Sequence, residues 1–350
     1  MAKERKLHIE LLRMLAIFLV VFNHTDGYGW FAGIHGSPAH FPAMLFSALC
    51  KTAVPLFFMC SGALLIGREE SLGTLLKKWV LRFVLVLLLF SLLTVLYDIG
   101  WDLRAFSPLY FLKVLWAGPV TESYWYLYRY IGFLLALPLL RRLGQAMGER
   151  EYRYMAWLML LLGLAGLLPP LLLGESLELS GQLVLFFAEY AVFFPLLGYY
   201  LEQRLPETRC TGRAAALAAL AGLAALGLMC LALERCCRHS GSWPRDVGEL
   251  FFGRLNFLPA AAPYVAAKRL FLRRQPGPLV SGTLRLFGGC SFGVYLTQHF
   301  LLDLTLPLDA GLSSALGGFG ACLVRSLLVC LLGTGVAWVL KQIPGLRKLL

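Results

Sequence analysis

The sequence predicts an all-α integral membrane protein. The predicted architecture is a single polytopic bundle of about ten transmembrane helices, one domain over residues 1–350, with both termini in the cytoplasm. Composition is the first reason. Of the 350 residues, 59% are hydrophobic and 15% charged, and the mean hydropathy is +0.70. Soluble domains run at about 45–50% apolar and about 25% charged. Length is the second. Ten apolar runs approach the ~20 residues that a helix needs to cross a bilayer. Charge is the third. With the N-terminus placed inside, 22 of the 32 Lys and Arg residues fall on the cytoplasmic side and 6 on the other, while Arg13, Arg129, Arg254 and Arg325 lie within the runs. Cytoplasmic loops collect basic residues in this way.

Taken in order, the first run, 8–28, follows the charged segment MAKERK and reads as an uncleaved signal-anchor, since no small-residue cleavage site follows it. The second, 43–66, carries Ser61 and Gly62. The third, 80–100, opens behind Lys77 and Lys78. The fourth, 124–140, is short; the fifth spans 154–173. The sixth, 183–201, contains Glu189, an acid that needs a partner at that depth, with Arg129 and Arg325 as candidates. The seventh, 214–233, is rich in alanine, a strong helix former that permits close packing. The eighth, 250–267, is interrupted by Gly, Pro and polar residues. The ninth and tenth are 284–303 and 319–340. The longest external loops, 28–42, 101–123 and 234–249, leave no room for a separate domain.

The formal charge of +12 is accounted for by this loop asymmetry, so no nucleic-acid partner is expected. Most of the nine cysteines lie in apolar runs, where a thiol acts as a small apolar group. None has zinc-site spacing with histidine, and neither a metal nor a structural disulfide is expected.

The stretch RMLAIFLVVFNH places ten residues between Arg13 and His24. On a helix, their separation is about 16–17 Å along the axis and about three turns plus 20°, so both side chains share one face. Each has a bland explanation: Arg13 can snorkel to the interface, and His24 can be an interfacial imidazole beside Tyr28 and Trp30. Together they also suit chemistry. An arginine grips phosphate through charge-assisted hydrogen bonds. A histidine takes a proton from a hydroxyl near neutral pH. A long donor with phosphate at one end and a reactive group at the other, the shape of an acyl-coenzyme A, would bridge them; spacing alone does not name the ligand.

Further candidates have two readings each. Ser61 and Gly62 can border a donor channel or pack helices. Lys77, Lys78 and Arg82 can attract phosphates at a cytoplasmic mouth or follow ordinary positive-inside topology. Glu122 and Trp125, with Tyr126, can meet an acceptor or sit at the interface. Arg254, near Asn256, can line an acceptor cavity or join a polar network that locks the bundle. Asp26 can orient His24 only if the helix has already ended there.

Several segments together resemble the acyltransferase 3 family of membrane-bound O-acyltransferases. The opening stretch fits that family's Arg–ten residues–His motif. VPLFFMCSGALLIGREE (54–70), LLKKWVLRF (75–83), YWYLYRYIGFLLALPLLRRL (124–143) and SFGVYLTQHFLLD (291–303) are similar to its later signatures, in family order. The resemblance implies transfer of an acyl group, commonly acetyl, from cytoplasmic acetyl-CoA to a hydroxyl of an extracytoplasmic glycan or other envelope molecule. The protein would be multi-pass in the cytoplasmic membrane of a bacterium. The resemblance carries His24 over as the catalytic residue and Arg13 as the donor-binding arginine; Ser61, Lys78 and Arg82 stay donor-side candidates on their own chemistry and position. Glu122, Trp125 and Arg254 remain acceptor-side candidates. Two departures stand out: Tyr124 occupies a position where relatives often have histidine, and the late His-Pro is replaced by Thr297, Gln298, His299, Phe300. The competing reading is a transporter or flippase that moves a polar or acylated envelope precursor without acyl-transfer chemistry.

Overall fold

The computed structural model describes residues 6–25, 40–175, 186–240 and 255–350. Among the described residues the protein is helical throughout, with no strand. Five helical stretches are long and apolar enough to cross a membrane: His40–Leu65, Leu72–Asp98, Glu149–Leu173, Gly212–Ser240 and Pro278–Leu340. Their outward faces agree with that. Leu217, Leu220, Leu223 and Leu231, on the helix Gly212–Ser240, are each more than half exposed. In water such a face would be an uncovered apolar patch; in a bilayer it meets lipid.

Helix α1 (Leu7–Asn23) is apolar nearly all round, with Leu12, Ala16, Ile17, Leu19, Val20, Val21 and Phe22 buried. A helix of that pattern belongs in a core. It packs against α2 (His40–Cys50), α3 (Ala53–Leu65), α10 (Phe257–Arg273), α11 (Pro278–Thr305) and α12 (Asp309–Leu340). Between them in sequence lie α4 (Leu81–Asp98), α5 (Pro108–Ala117), α6 (Trp125–Ala146), α7 (Glu149–Leu173), α8 (Tyr190–Tyr199) and α9 (Gly212–Ser240); α13 (Pro344–Leu349) follows.

The second predicted run is two helices rather than one. Pro55, in the first turn of α3, has no N–H to give the Lys51 carbonyl one turn back. That carbonyl instead accepts from Asn256 Nδ2 at 2.7 Å, and the chain breaks between α2 and α3. The end of α3 is closed by side chains of α6: Arg141 Nε donates to the Leu65 carbonyl at 3.1 Å and Gln145 Nε2 to that of Ile66 at 3.1 Å. These satisfy acceptors that a helix terminus leaves open. The third run starts as a π-helix over Leu75–Val80. The last run is longer than predicted, and Gly317, at φ +74°, kinks α12 where a side chain would be strained.

Glycine sets the closest helix crossing. A Cβ on Gly62 would collide with the Pro195 carbonyl, and one on Gly198 with that of Met59. Gly62 therefore serves the packing of α3 on α8.

Helices α1 and α11 run in the same direction. At one end a Cβ on Gly288 would lie 2.6 Å from the Glu10 carbonyl oxygen. At the other end α12 ties both together: Cys322 Sγ donates to the Thr25 carbonyl at 3.4 Å, and Arg325 Nη2 to that of Leu302 at 3.3 Å.

The expected partnership of Glu189 is met in a different setting. Its carboxylate accepts from Arg129 Nη1 at 2.9 Å, but it stands just before the first turn of α8 with its side chain 56% exposed, so it is not a deeply buried acid. The other expected partner, Arg325, is buried and pairs with Asp309 at 2.8 Å.

Candidate active site

The continuity of α1 from Leu7 to Asn23 leaves the register between Arg13 and His24 unbroken, with His24 as the residue that closes the helix. The two ends of that helix differ. At the Arg13 end lies a cavity of about 460 Å³, within the usual range for small-molecule sites. Lys6, Arg13, Arg68, Arg82 and Lys341 line it, and among the described side chains the one acid in the lining is Glu10. Its walls include Phe57, Phe83, Tyr126, Tyr130, Phe292 and Tyr295. Such a concentration of one sign between low-dielectric walls attracts anions.

Arg13 is available for a ligand. Among the described residues its acidic neighbour is Glu10, one turn back on the same helix, at 3.8 Å, and its side chain is 31% exposed. That separation is too long for a charge-assisted hydrogen bond. Arg82 donates through Nε to the Leu349 carbonyl at 2.9 Å, and Lys341 donates to the Gly289 carbonyl. Ser61 also lines the cavity, but its hydroxyl donates to the Phe57 carbonyl at 2.9 Å and accepts from Tyr130 at 3.1 Å. A serine so engaged can contribute a polar surface, yet its proton is already committed.

At the rim, Glu202 fixes the start of α1. Its carboxylate accepts from Lys6, from His8 at 2.9 Å and from Tyr264 at 3.0 Å. Burial alone would raise its pKa; the hydrogen bonds and charges of His8 and Lys6 outweigh burial and hold it at about 2. Lys268 donates to the Leu201 carbonyl at 2.7 Å and closes the same corner.

The His24 end is built differently. His24 is half-buried, and Lys51, at the break between α2 and α3, is the charged group whose field reaches it. His24 does not line the basic cavity. Away from His24, where Tyr295 walls the basic cavity, Tyr124 is fully buried and donates to the Leu296 carbonyl at 3.0 Å, while Tyr295 donates to that of Ser123 at 2.6 Å. This reciprocal pair staples α6 to α11 and explains why an aromatic hydroxyl occupies position 124. His299 turns to the flank of α11, with Asp98 at 3.3 Å and Tyr97 edge-on.

The structure thus joins Arg13, Ser61 and Arg82 in one cavity. It does not bring Lys78 there: that side chain is exposed and lies over the Trp79 ring at 5.2 Å. Glu122 and Trp125 are exposed at the start of α6, away from the cavity. Arg254 and Asp26 lie outside the described residues. Sequence reasoning missed the cavity roles of Glu10, Lys341, Tyr130 and Tyr295. Glu10 was reachable by extending the Arg13–His24 face back one turn. Lys341 was not, because its proximity comes from the packing of α12. Among the described residues no group of three or more His, Cys, Asp or Glu side chains is arranged to hold a metal.

A family profile described as an acyltransferase domain matches residues 7–341, nearly the whole chain. No curated protein and no solved structure matches the chain.

Proposed function

Since the chain belongs to the acyltransferase 3 family and is a membrane acyltransferase, we propose that it moves an acetyl group from cytoplasmic acetyl-CoA to a hydroxyl of an extracytoplasmic glycan or other envelope molecule. The single observation that carries this reading is the division of α1. Arg13 stands in a basic cavity at one end, and His24 stands at the other end on the same helical face. The ten-span topology with cytoplasmic termini expected from the sequence would put the basic cavity on the cytoplasmic side, where acyl-CoA resides.

In this mechanism Arg13, with Arg82, Arg68 and Lys341, binds the phosphates of the coenzyme. The pantetheine arm runs along α1 and carries the thioester toward His24. His24 removes the proton from the acceptor hydroxyl as its oxygen attacks the thioester carbonyl. The carbon–sulfur bond breaks, and the thiolate of coenzyme A leaves and takes up the proton. Lys78, exposed on Trp79, has no part in donor binding on this reading. Glu122 and Trp125 contribute to the acceptor side.

The test is transfer of label from radiolabelled acetyl-CoA, with protein in lipid and a crude envelope extract, comparing wild type with His24→Ala. Label in a glycan or lipid fraction with wild type only supports the reading. Absence of transfer and of coenzyme A release across several acyl donors and extracts would overturn it in favour of a transporter.

A further inference from the structure

One buried polar side chain near the basic cavity is left without work in the fold. Gly288, Ser291 and Tyr295 all line the cavity, and they follow the spacing of one face of α11. The next position on that face is Gln298. It is 1% exposed, and neither its amide oxygen nor its amide nitrogen has a hydrogen-bond partner among the described residues. Its polar neighbours on α11 are all engaged: Ser291 with the Gly288 carbonyl at 2.8 Å, Tyr295 with that of Ser123 at 2.6 Å, Thr297 with that of Gly293 at 2.9 Å, and His299 with Asp98 at 3.3 Å. A buried amide left unpaired on both sides costs free energy, and sequences rarely keep one without a reason.

Its height in the bundle supplies the reason. Gly288 marks the level of Glu10. Gln298 lies ten residues further along α11, about 15 Å, and His24 fourteen residues further along α1, about 21 Å. Arg13 is only about 4–5 Å beyond Glu10. Gln298 therefore stands between the level of the phosphate-binding arginine and the level of His24. What crosses that interval is the neutral middle of the donor. A glutamine amide offers one acceptor and two donor hydrogens, so with both atoms free it matches a group that also donates and accepts: a secondary amide.

We propose that Gln298 is a binding residue for the amide-containing pantetheine arm of the donor, giving an N–H to an amide carbonyl of the arm and accepting from an amide N–H. The inference rests on the acyl-CoA reading of the cavity and goes beyond it by assigning the arm, separately from the phosphates.

The test compares two probes on wild type, Gln298→Met and Gln298→Asn in lipid: coenzyme A, which carries the arm, and 3′-phosphoadenosine 5′-diphosphate, which lacks it. Gln298→Met nearly conserves volume and removes both hydrogen-bonding atoms. It is expected to weaken coenzyme A at least about tenfold, the loss of two hydrogen bonds, and to leave the nucleotide within twofold. Gln298→Asn keeps the amide and should recover part of the loss. Without ligand, the melting temperature of Gln298→Met should equal or exceed that of wild type, because an unpaired buried amide has been removed. Unchanged coenzyme A affinity in Gln298→Met, equal weakening of both probes, or a lowered melting temperature or failure to fold would each overturn the proposal. Wild type that binds neither probe would overturn the donor reading itself, and this inference with it.

Discussion

The two ends of α1 are made of the same helix and do different physical work. At one end Arg13 and four other basic side chains converge on one cavity, and Glu10, the acidic side chain described there, is too distant for a direct hydrogen bond to the arginine. At the His24 end, Thr25 donates to the Phe22 carbonyl at 2.8 Å and Lys51 is the charged group whose field reaches the imidazole. On the proposed acyl-CoA reading, the charged end of the donor would sit among the basic groups at the Arg13 end. A transporter of a small polar solute would need a polar lining along the whole path, and the interval between Arg13 and His24 on α1 is instead aliphatic and aromatic, from Met14 to Phe22.

Breaking the His24 end should have the largest effect. His24→Ala is expected to lower transfer by about 10²–10⁴-fold, the usual contribution of a positioned general base, with unchanged membrane level; transfer within twofold of wild type would remove the assignment. Breaking the other end should cost less and cost it differently. Arg13→Ala is expected to raise the KM for the donor about 10- to 100-fold, as loss of a charge-assisted hydrogen bond of about 1.5–3 kcal/mol would do. Arg13→Lys should recover only part of this, since an ammonium cannot make the forked contact. Donor titrations on both variants check this.

Packing between the ends gives a smaller, stability-only effect. Gly62→Ala drives a methyl into the Pro195 carbonyl, and overpacking of this kind costs about 1–3 kcal/mol. A lowered melting temperature, with the donor KM of the folded fraction unchanged, would mark Gly62 as a helix-crossing residue. Glu202 sharpens the comparison through pH. Its carboxyl titrates at about 2 in the fold, against 4.5 unperturbed. Its pairing therefore stabilises the protein fully above pH 4.5 and is lost as pH falls toward 2. Thermal stability of wild type should drop across that window, and Glu202→Gln should lack that part of the drop. The smallest effect belongs to Lys78→Ala: because the side chain is exposed on Trp79, donor KM should stay within twofold.

Much of the bundle was legible from hydropathy, because each helix must bury or greet lipid along a length that composition alone records. The face shared by Arg13 and His24 was legible for the same reason, since local periodicity needs no tertiary knowledge. What could not be read was convergence. Arg82 was anticipated as part of the basic cluster before α4, but Lys341 reaches the cavity only because α12 runs antiparallel to α11, and Lys78, in the π-helical segment before α4, is exposed and does not line the cavity. The break between α2 and α3 was visible in principle as Pro55, yet the partner that makes it tolerable, Asn256, lies 205 residues from Lys51. Glu189 was read as deep because an apolar window has no way to mark the first turn of a helix.

The most direct test of the division of labour along α1 is coenzyme A release measured against donor concentration for wild type, Arg13→Ala and His24→Ala, in lipid with an active acceptor extract. Saturating acetyl-CoA should bring Arg13→Ala to at least half the wild-type rate and leave His24→Ala at background. Rescue of His24→Ala by excess donor, or an Arg13→Ala rate that stays at background under saturation, would contradict the account.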